Sequence, residues 1–317
     1  MTDLVKRLKS KSNVNDNNAA EKPKSASYET IPTFKRNKTS LRVLSRIVII
    51  TSLLIVVYFT SAHDKTKTFA KQSEMLVGKG QMLQCTVDYM NSLVDHGRCF
   101  IKECKRYVSD KIITAEEAEG LLEILQKALK EGESAGGAST LDLHSGHLSK
   151  GDHFINIYYK PDIKKLFSEE DFQLYANVKE KVRHAVAHHF GVNPALIYPT
   201  RPGYFSALTS KDPVTPLDKY WQPQIDYLSH RGNHFSAYLY LNNYNTDFKG
   251  GRFIFTDQHL NRTVEPRKGR VLIYTSGPEN RNYIERVTSG TRYAINIPFT
   301  CNKDFALEEP SLSKNTL

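Results

Sequence analysis

The residues best suited to chemistry lie in the stretch KYWQPQIDYLSHRGNHFSAYLYLNN, residues 219 to 243. Its pattern predicts a strand, a turn and a second strand, with a buried carboxylate at Asp226. A carboxylate is a hard oxygen donor of the kind that metal sites use. Two positions earlier stands Gln224, whose amide oxygen is a weak donor. This pair therefore raises the question of whether the stretch forms a metal site or the remains of one.

Histidines offer further candidate sites, and for each of them a non-catalytic interpretation is favoured. His184 and His188 have the i, i+4 spacing of a helical metal pair, but no glutamate follows His184 and no third ligand is evident. A solvated or packed helix face is therefore expected. His230 and His234 follow the carboxylate in the turn and the next strand, and they could reach its pocket only after a loop rearrangement. His259 is predicted to lie in an exposed loop.

Two helices and a series of short strands must position these residues. TAEEAEGLLEILQKALKEG begins with a capping box at Thr114 and Glu117, and EEDFQLYANVKEKVRHAVAHHFG is a second amphipathic helix. From Tyr204 the hydrophobic period changes to two, in the segments YFSALTS, HFSAYLYLN, GRFIFT, GRVLIYTS and TRYAINIPFT. Short strands separated by Gly, Asn and Pro indicate an antiparallel sandwich or barrel, with the helices bracing one face.

Three motifs in the second half of the chain are informative together: YLYLNNYNTDFKGGRFIF, NRTVEPRKGRVLIYTSGPEN and GTRYAINIPFTCN. With GGASTLDLHSG and FSEEDFQLY upstream, their order resembles the iron- and 2-oxoglutarate-dependent dioxygenases of the prolyl 4-hydroxylase type, and within them a membrane-anchored group. The resemblance covers most of residues 110 to 305. It implies an α+β fold, a double-stranded β-helix (jelly roll) braced by N-terminal helices. It also implies Fe(II) and 2-oxoglutarate as cofactors and hydroxylation of peptidyl proline or lysine as the activity.

The metal ligands of that family are two histidines and one carboxylate, written His-x-Asp with the second histidine on a later strand. At the first motif this chain reads Gln224-Ile225-Asp226, so the carboxylate is retained and the imidazole is replaced. The basic residue that pairs with the far carboxylate of 2-oxoglutarate matches Arg292. The second histidine lies about ten residues before that arginine in the family, and Asn282 stands there. The triad is therefore degenerate, and we expect iron binding to be weakened or lost.

Three functional interpretations follow from the resemblance. The favoured one is a lumenal protein of dioxygenase descent with impaired or lost catalysis, which binds a protein, a peptide or a small acid and uses Arg292 for the cosubstrate or another anion. The second is an active peptidyl hydroxylase with non-standard iron ligation. The third is a structural or ligand-binding β-sandwich, which would explain the strands but not the spacing of Asp226 and Arg292.

The N-terminal region predicts a membrane anchor. The first 46 residues carry eleven Lys or Arg against four Asp or Glu, so the remaining 271 contribute only +3 of the net charge of +10. Because this basic excess precedes the apolar run IVIITSLLIVVYFTSA, we expect a signal anchor with a cytosolic N-terminus and a lumenal C-terminal domain. The expected location is a membrane of the secretory pathway, in single-pass type II orientation. The basic tail is of low complexity, so nucleic acid is not an expected partner.

Cysteines and a sequon agree with that placement. All four cysteines follow the anchor: Cys85, Cys99, Cys104 and Cys301. An even number on the oxidising side of a membrane indicates disulfides, with three connectivities open and four reduced thiols as the alternative. Asn261 in NRT is a glycosylation candidate, whereas Asn37 in NKT would face the cytosol.

Composition and pattern together divide the chain into six predicted regions. They are a disordered basic cytosolic tail (1–40), a transmembrane signal anchor (41–62), a polar stem (63–84), a helical support region (85–200), a jelly-roll core (201–305) and a tail (306–317). The candidate site residues all fall in the predicted core.

Overall fold

A computed structural model describes residues 38–61, 66–94, 99–162, 166–230 and 232–308. The chain divides after Ser61 into two compact units. In the first unit lies helix α1 (Lys38–Ser61), within which Thr39–Tyr58 is long and apolar enough to cross a membrane. The side chains of this segment are exposed. Most of the predicted basic tail, the sequon at Asn37 and the end of the chain lie outside the described residues.

The helices of the second unit include α2 (Val87–Val94), α3 (Ala115–Leu129), α4 (Glu169–Phe190) and the single turn α5 (Asp226–Ser229). The capping box of Thr114 and Glu117 starts α3, as predicted. Gly191 ends α4 with φ of 68°, a left-handed conformation that favours glycine. Both predicted helices are confirmed.

The strands of the second unit are short and follow in this order: β1 (Thr66–Ala70), β2 (Lys79–Leu83), β3 (Cys104–Ser109), β4 (Ala138–Asp142), β5 (His147–Lys150), β6 (His153–Asn156), β7 (Tyr198–Pro199), β8 (Tyr204–Leu208), β9 (Phe235–Tyr240), β10 (Phe248–Lys249), β11 (Phe253–Phe255), β12 (Asn261–Val264), β13 (Val271–Thr275), β14 (Asn282–Ile284), β15 (Ser289–Gly290) and β16 (Arg292–Thr300). The five segments with a period of two are confirmed as β8, β9, β11, β13 and β16.

These strands form a mixed fold with large antiparallel sheets. A ten-stranded sheet has the order β2-β3-β13-β9-β16-β8-β4-β5-β6, with β7 paired to β16. A four-stranded sheet has the order β1-β12-β11-β14, and β10 pairs with β15. The pairing is antiparallel except between β1 and β12. An α+β architecture built on antiparallel strands is therefore confirmed.

The ten-stranded sheet separates two hydrophobic clusters. Successive side chains of a strand point to opposite faces, so Ala237 and Leu239 of β9 pack with the cluster that contains α3 and α4. On the other face, Tyr238 and Tyr240 pack with β11 through Phe253. The face that carries these tyrosines also carries the candidate site, so the site lies between the two sheets.

Within the predicted polar stem, residues 63–84, the structure describes two strands. β1 pairs with β12, and β2 pairs with β3. Arg270 supplies much of the physical reason: it is fully buried and binds both carboxylate oxygens of Asp110 at 2.7 and 2.9 Å. It also donates to the carbonyls of Lys71 and Glu74, so hydrogen bonds fix a segment that buries little apolar surface.

Two further boundaries differ from the prediction. The helical support region also supplies β3, β4, β5 and β6 to the larger sheet, so no boundary separates it from the core at residue 200. The stretch before His230 is not a strand, because Gln224 makes only an isolated bridge and α5 follows at once. Proline at position 223, which lacks an N–H donor, is a poor residue for a central strand.

The cysteines pair in one of the three connectivities that the sequence left open. Cys85 bonds to Cys104, and Cys99 bonds to Cys301. The second bond joins positions 202 residues apart in sequence and ties the segment before β3 to the end of β16.

Candidate functional site

Asp226 lies at the start of α5 and is 7% exposed. Its Oδ2 accepts short hydrogen bonds from the hydroxyls of Ser236 and Tyr274, both at 2.6 Å. Burial, followed by the charge of Asp226, raises the pKa of Tyr274 well above its usual range, so its hydroxyl stays a donor. Oxygen Oδ2 is thus fully engaged with protein groups.

Gln224 and Asn282, which the resemblance assigned to the histidine positions, converge on the same carboxylate. The backbones of Gln224 and Asn282 exchange two hydrogen bonds, of 2.7 and 2.9 Å, across an isolated antiparallel bridge. Their side-chain nitrogens, Nε2 of Gln224 and Nδ2 of Asn282, approach Oδ1 of Asp226 at 3.4 and 3.3 Å. The structure therefore brings together the three positions that the resemblance assigned to the metal triad, but with amide N–H groups facing the carboxylate.

These residues do not fit an Fe(II) ion. The family's iron needs two imidazole nitrogens and one carboxylate oxygen on one face, whereas here donors to Asp226 stand where nitrogen ligands would be required. Within the described part of the chain, no group of three His, Cys, Asp or Glu residues is arranged to hold a metal ion. Asp226 is therefore held by protein hydrogen-bond donors in this structure.

The histidines do not supply substitute ligands. His234 is buried, and its Nδ1 accepts from the backbone N–H of Cys301 at 2.9 Å, a structural role beside the disulfide. His230 is exposed at the edge of the cavity. The remaining candidates are exposed: His184, which lies 2.9 Å from Glu180, His188 and His259.

Arg292 occupies the opposite end of the site and is 0% exposed. Its Nε donates to the carbonyl of Gly251 at 2.9 Å, and its Cζ lies 5.3 Å from the ring centroid of Tyr240. Both terminal nitrogens, Nη1 and Nη2, are buried without a hydrogen-bond partner among the described residues. Buried guanidinium nitrogens are almost always paired, so this pair of donors points to an external acceptor.

Tyrosines surround this guanidinium, and none of them balances its charge. They are Tyr204, Tyr220, Tyr238 and Tyr240. Burial raises the pKa of each, that of Tyr240 to about 12, so all four are neutral at physiological pH. Burial lowers the pKa of Arg292, yet an arginine stays protonated in proteins. A positive charge is therefore buried without a counter-ion from these neighbours.

A cavity of about 540 Å³ opens between the sheets beside this arginine. Its walls include Tyr204 and Leu208 of β8 and Tyr238 of β9, and Leu208 is the cross-strand partner of Arg292. Two other buried polar atoms lack a partner of good hydrogen-bond geometry within the described residues, the hydroxyl of Tyr240 and Oδ1 of Asn296. Arg292, Tyr240 and Asn296 are not among the residues that line this cavity.

The sequence did not identify the hydroxyl donors to Asp226 or the tyrosines around Arg292. The alternation in HFSAYLYLN places Ser236, Tyr238 and Tyr240 on one face of the strand, which is the pattern that could have indicated them. What the sequence did not show was that this face, rather than the other, lines the site, because that depends on the pairing of β9 with β13 and β16.

The chain is similar to known proteins over most of its length. No protein-family model matches the chain. It is 44% identical over 252 residues to "2-oxoglutarate and iron-dependent oxygenase domain-containing protein 3" of Mus musculus, which covers 79% of this chain and 80% of that protein. It is 26% identical to "Prolyl 3-hydroxylase 1" of Gallus gallus, over 76% of this chain and 34% of that protein. A solved Pseudomonas putida prolyl-4-hydroxylase aligns at 14% identity and a TM-score of 0.40, over 67% of this chain and 97% of that one.

The sequence motifs and the relatives define the class as that of the 2-oxoglutarate- and iron-dependent oxygenases. Within this class, the chain belongs to the family of 2-oxoglutarate and iron-dependent oxygenase domain-containing protein 3, because its identity to a relative is 44% over most of both chains. The predicted family is confirmed.

Proposed function

We propose that this protein is a metal-independent member of its family, with impaired or lost catalysis, that binds a carboxylate between its sheets. The observation that carries the proposal is the pair of buried, unpartnered nitrogens of Arg292. A carboxylate accepts two parallel N–H bonds from a guanidinium, and it would also neutralise the buried charge. The scaffold for this site would be the double-stranded β-helix of the family.

The proposed loss of catalysis rests on the other end of the site. Fe(II) and 2-oxoglutarate are the cofactors that the family's name implies, and iron would supply the oxidising chemistry. Gln224 and Asn282 offer no imidazole, and Asp226 Oδ2 already accepts two 2.6 Å bonds. Replacing those bonds with a metal bond would leave Ser236 and Tyr274 without their acceptor. We therefore expect no iron-dependent turnover.

The experiment that tests this part uses the full chain in detergent micelles. Anaerobic Fe(II) titration and 2-oxoglutarate decarboxylation are measured on the natural protein and on Gln224→His/Asn282→His. We expect weak or no iron binding and no decarboxylation for the natural protein, and recovery of iron binding in the double variant, because it restores two imidazoles. The matched control is Gln222→His, which adds an exposed imidazole outside the triad. Tight iron binding with turnover by the natural protein would overturn the proposal.

Carboxylate binding is tested separately in a chelator that removes metal. Isothermal titration with 2-oxoglutarate and with butyrate should show saturable binding of at least one of them. Arg292→Gln should lower that affinity at least about 30-fold, because truncating one partner of a buried charged pair costs at least about 2 kcal/mol. Binding that Arg292→Gln leaves unchanged would show that the carboxylate does not occupy this cavity.

The proposed location is a membrane of the secretory pathway, with the second unit in the lumen. Support comes from the apolar helix, from the pairing of all four cysteines and from the sequon at Asn261. Treatment of the cellular protein with a glycosidase that removes N-linked glycans should lower its mass, and Asn261→Gln should abolish that shift. A natural protein whose mass does not change would remove the support from the sequon.

A further inference from the structure

Exposed apolar side chains of the second unit are concentrated in one stretch of the chain. Among its described residues, twelve large apolar side chains are exposed, and six of them fall within residues 75–100, which are 26 of the 256 positions of that unit (62–317). These six are Met75, Val77, Met82, Val87, Val94 and Phe100. Single exposed apolar side chains are normal on a protein surface, whereas a group of them marks a contact surface.

Three of these side chains lie along the free edge of the ten-stranded sheet. β2 is the outermost strand of that sheet, and its partner within the described residues is β3. Met82 belongs to β2, Val77 precedes that strand, and Val87 begins α2. The disulfide between Cys85 and Cys104 joins this segment to β3, so the edge is fixed in place. We call Val77, Met82 and Val87, which are 74%, 68% and 74% exposed, the β2 edge surface.

The β2 edge surface follows closely after the proposed membrane anchor in the chain. Four residues, 62–65, separate the end of α1 from the start of β1, and four residues span at most about 14 Å. β1 in turn lies beside β2, because Nζ of Lys79 in β2 is 5.4 Å from the ring centroid of Phe69 in β1. The exposed apolar edge is therefore close to the point at which the chain leaves the bilayer proposed for α1.

The charges on this part of the chain also suit a lipid surface. Within residues 66–94 and 99–103, four lysines and three acids are exposed, a difference of +1: Lys67, Lys71, Lys79, Lys102, Glu74, Asp88 and Glu103. A lysine can lay its apolar stem along the surface while its ammonium group reaches the lipid headgroups. Because the net charge is small, the apolar side chains decide the contact, as they do on surfaces that lie in the bilayer interface.

We propose that the β2 edge surface inserts into the interface of the bilayer that holds α1, so that the second unit lies on the membrane instead of moving freely on its tether. This proposal rests on the proposed membrane location. The carboxylate site does not enter into it. The partner is the lipid surface itself, which accepts apolar side chains from an edge without requiring a shaped pocket.

Docking by this edge would leave the cavity open to solvent. The cavity is lined mostly from β8, β4, β5 and β6, which are the last four strands in the order of the ten-stranded sheet, whereas β2 is the first. Five to eight strand spacings of about 4.8 Å separate them from β2, or about 24–38 Å along the sheet. A ligand would thus reach the cavity from the aqueous side while the opposite edge rests on lipid.

The test uses the full chain reconstituted into phosphatidylcholine vesicles that contain a trace of phosphatidylcholine with a photoreactive acyl chain. Labelled peptides are then identified by mass spectrometry. We expect lipid label on α1 and also on residues 77–87. Val77→Ser/Met82→Ser/Val87→Ser should lower the label on that segment at least about tenfold relative to α1, because three apolar side chains no longer enter the bilayer. Since all three are exposed, the Tm of this variant should be nearly unchanged.

The matched control is Phe154→Ser/Val214→Ser/Leu217→Ser, which removes three equally apolar and exposed side chains elsewhere in the second unit. This variant should keep the label on residues 77–87.

A fluorescence measurement gives an independent readout, because Trp221 is the one tryptophan of the chain. Val87→Trp adds a tryptophan to the β2 edge surface, and Val214→Trp adds one at a control position. In vesicles of phosphatidylcholine brominated on its acyl chains, Val87→Trp should lose at least about 1.5-fold in emission relative to ordinary phosphatidylcholine, because an interfacial side chain reaches about 5–10 Å into the boundary of the acyl chains. The natural protein and Val214→Trp should show no such loss.

The outcomes distinguish this proposal from the proposed membrane location. Label on α1 without label on residues 77–87 would show that the second unit does not dock, while the anchor would stand. Label on neither segment would mean that α1 does not lie in the bilayer, and both proposals would fail. Label on residues 77–87 that the triple serine variant leaves at the level of its control would show that the β2 edge surface is wrongly assigned.

Discussion

The two ends of the candidate site differ in how their buried charges are satisfied. At one end, Asp226 accepts two short hydroxyl bonds and faces two amide nitrogens. At the other, Arg292 keeps two buried nitrogens without a partner among the described residues. The protein's own side chains hold Asp226, whereas no described side chain accepts from the terminal nitrogens of Arg292. This difference supports the proposal of a carboxylate site at Arg292.

The largest expected effect comes from comparing two arginines that are equally buried. Arg270 binds both oxygens of Asp110 and three backbone carbonyls, whereas Arg292 donates to one carbonyl. Arg270→Met should lower the free energy of unfolding by about 3–5 kcal/mol, because it leaves the buried carboxylate of Asp110 without its cation. Arg292→Met should leave it unchanged or raise it, because a buried charge without a counter-ion is removed.

Urea unfolding of both variants beside the natural protein, without added carboxylate, measures the difference. A loss of stability in Arg292→Met as large as that in Arg270→Met would contradict the comparison, since it would mean that Arg292 serves the fold. Addition of a bound carboxylate should stabilise the natural protein and have no effect on Arg292→Met, by the usual linkage of binding to folding.

The next effect concerns the other end of the cavity. Asp226→Asn should lower the free energy of unfolding by about 1–3 kcal/mol, because one of its buried donors loses an acceptor. A carboxylate that awaited a metal would behave in the opposite way, since neutralising it would relieve an unbalanced charge. Thermal and urea unfolding in a metal chelator decide between the two. Asp212→Asn is the matched control, because that side chain is 96% exposed. A gain in stability for Asp226→Asn would show that this end is also unsatisfied.

The sequence predicted those parts of the fold whose signals are local. A period of two marked β9 and β16, and a capping box marked the start of α3, because both depend on neighbouring residues. β1 and β2 were missed, since their segment is polar and depends on Arg270, which lies 199 residues after Lys71 in sequence. The disulfide connectivity was likewise not predictable, because the fold brings together Cys99 and Cys301, which are 202 residues apart in sequence.

The candidate site divides in the same way. The spacing of the family motifs identified Gln224, Asp226 and Asn282 as one group, and the structure places them in contact. Tyr274, whose hydroxyl donates to Asp226, lies 48 residues away from it in sequence. Only the register of β13 against β9 reveals this contact. Whether a buried charge is satisfied is a property of the packed structure, and no spacing in the sequence contains it.

The smallest expected effect concerns Gly251, which contacts Arg292. It is compared with Gly191, where a substitution would cause backbone strain alone. Gly251 has φ of 69°, and a Cβ there would lie 3.0 Å from Cδ of Arg292. Gly191 has φ of 68°, and a Cβ there would meet no neighbouring atom of the described residues within 4 Å. Gly191→Ala therefore reports strain alone, about 1–2 kcal/mol of unfolding free energy. Gly251→Ala should lower the free energy of unfolding by about the same amount and should also weaken carboxylate binding, because the guanidinium must shift from its place.

Unfolding and butyrate titration of both variants supply the comparison. Equal affinities would mean that the position of Arg292 tolerates displacement, and the Arg292 end of the site would then be less tightly organised than the Asp226 end.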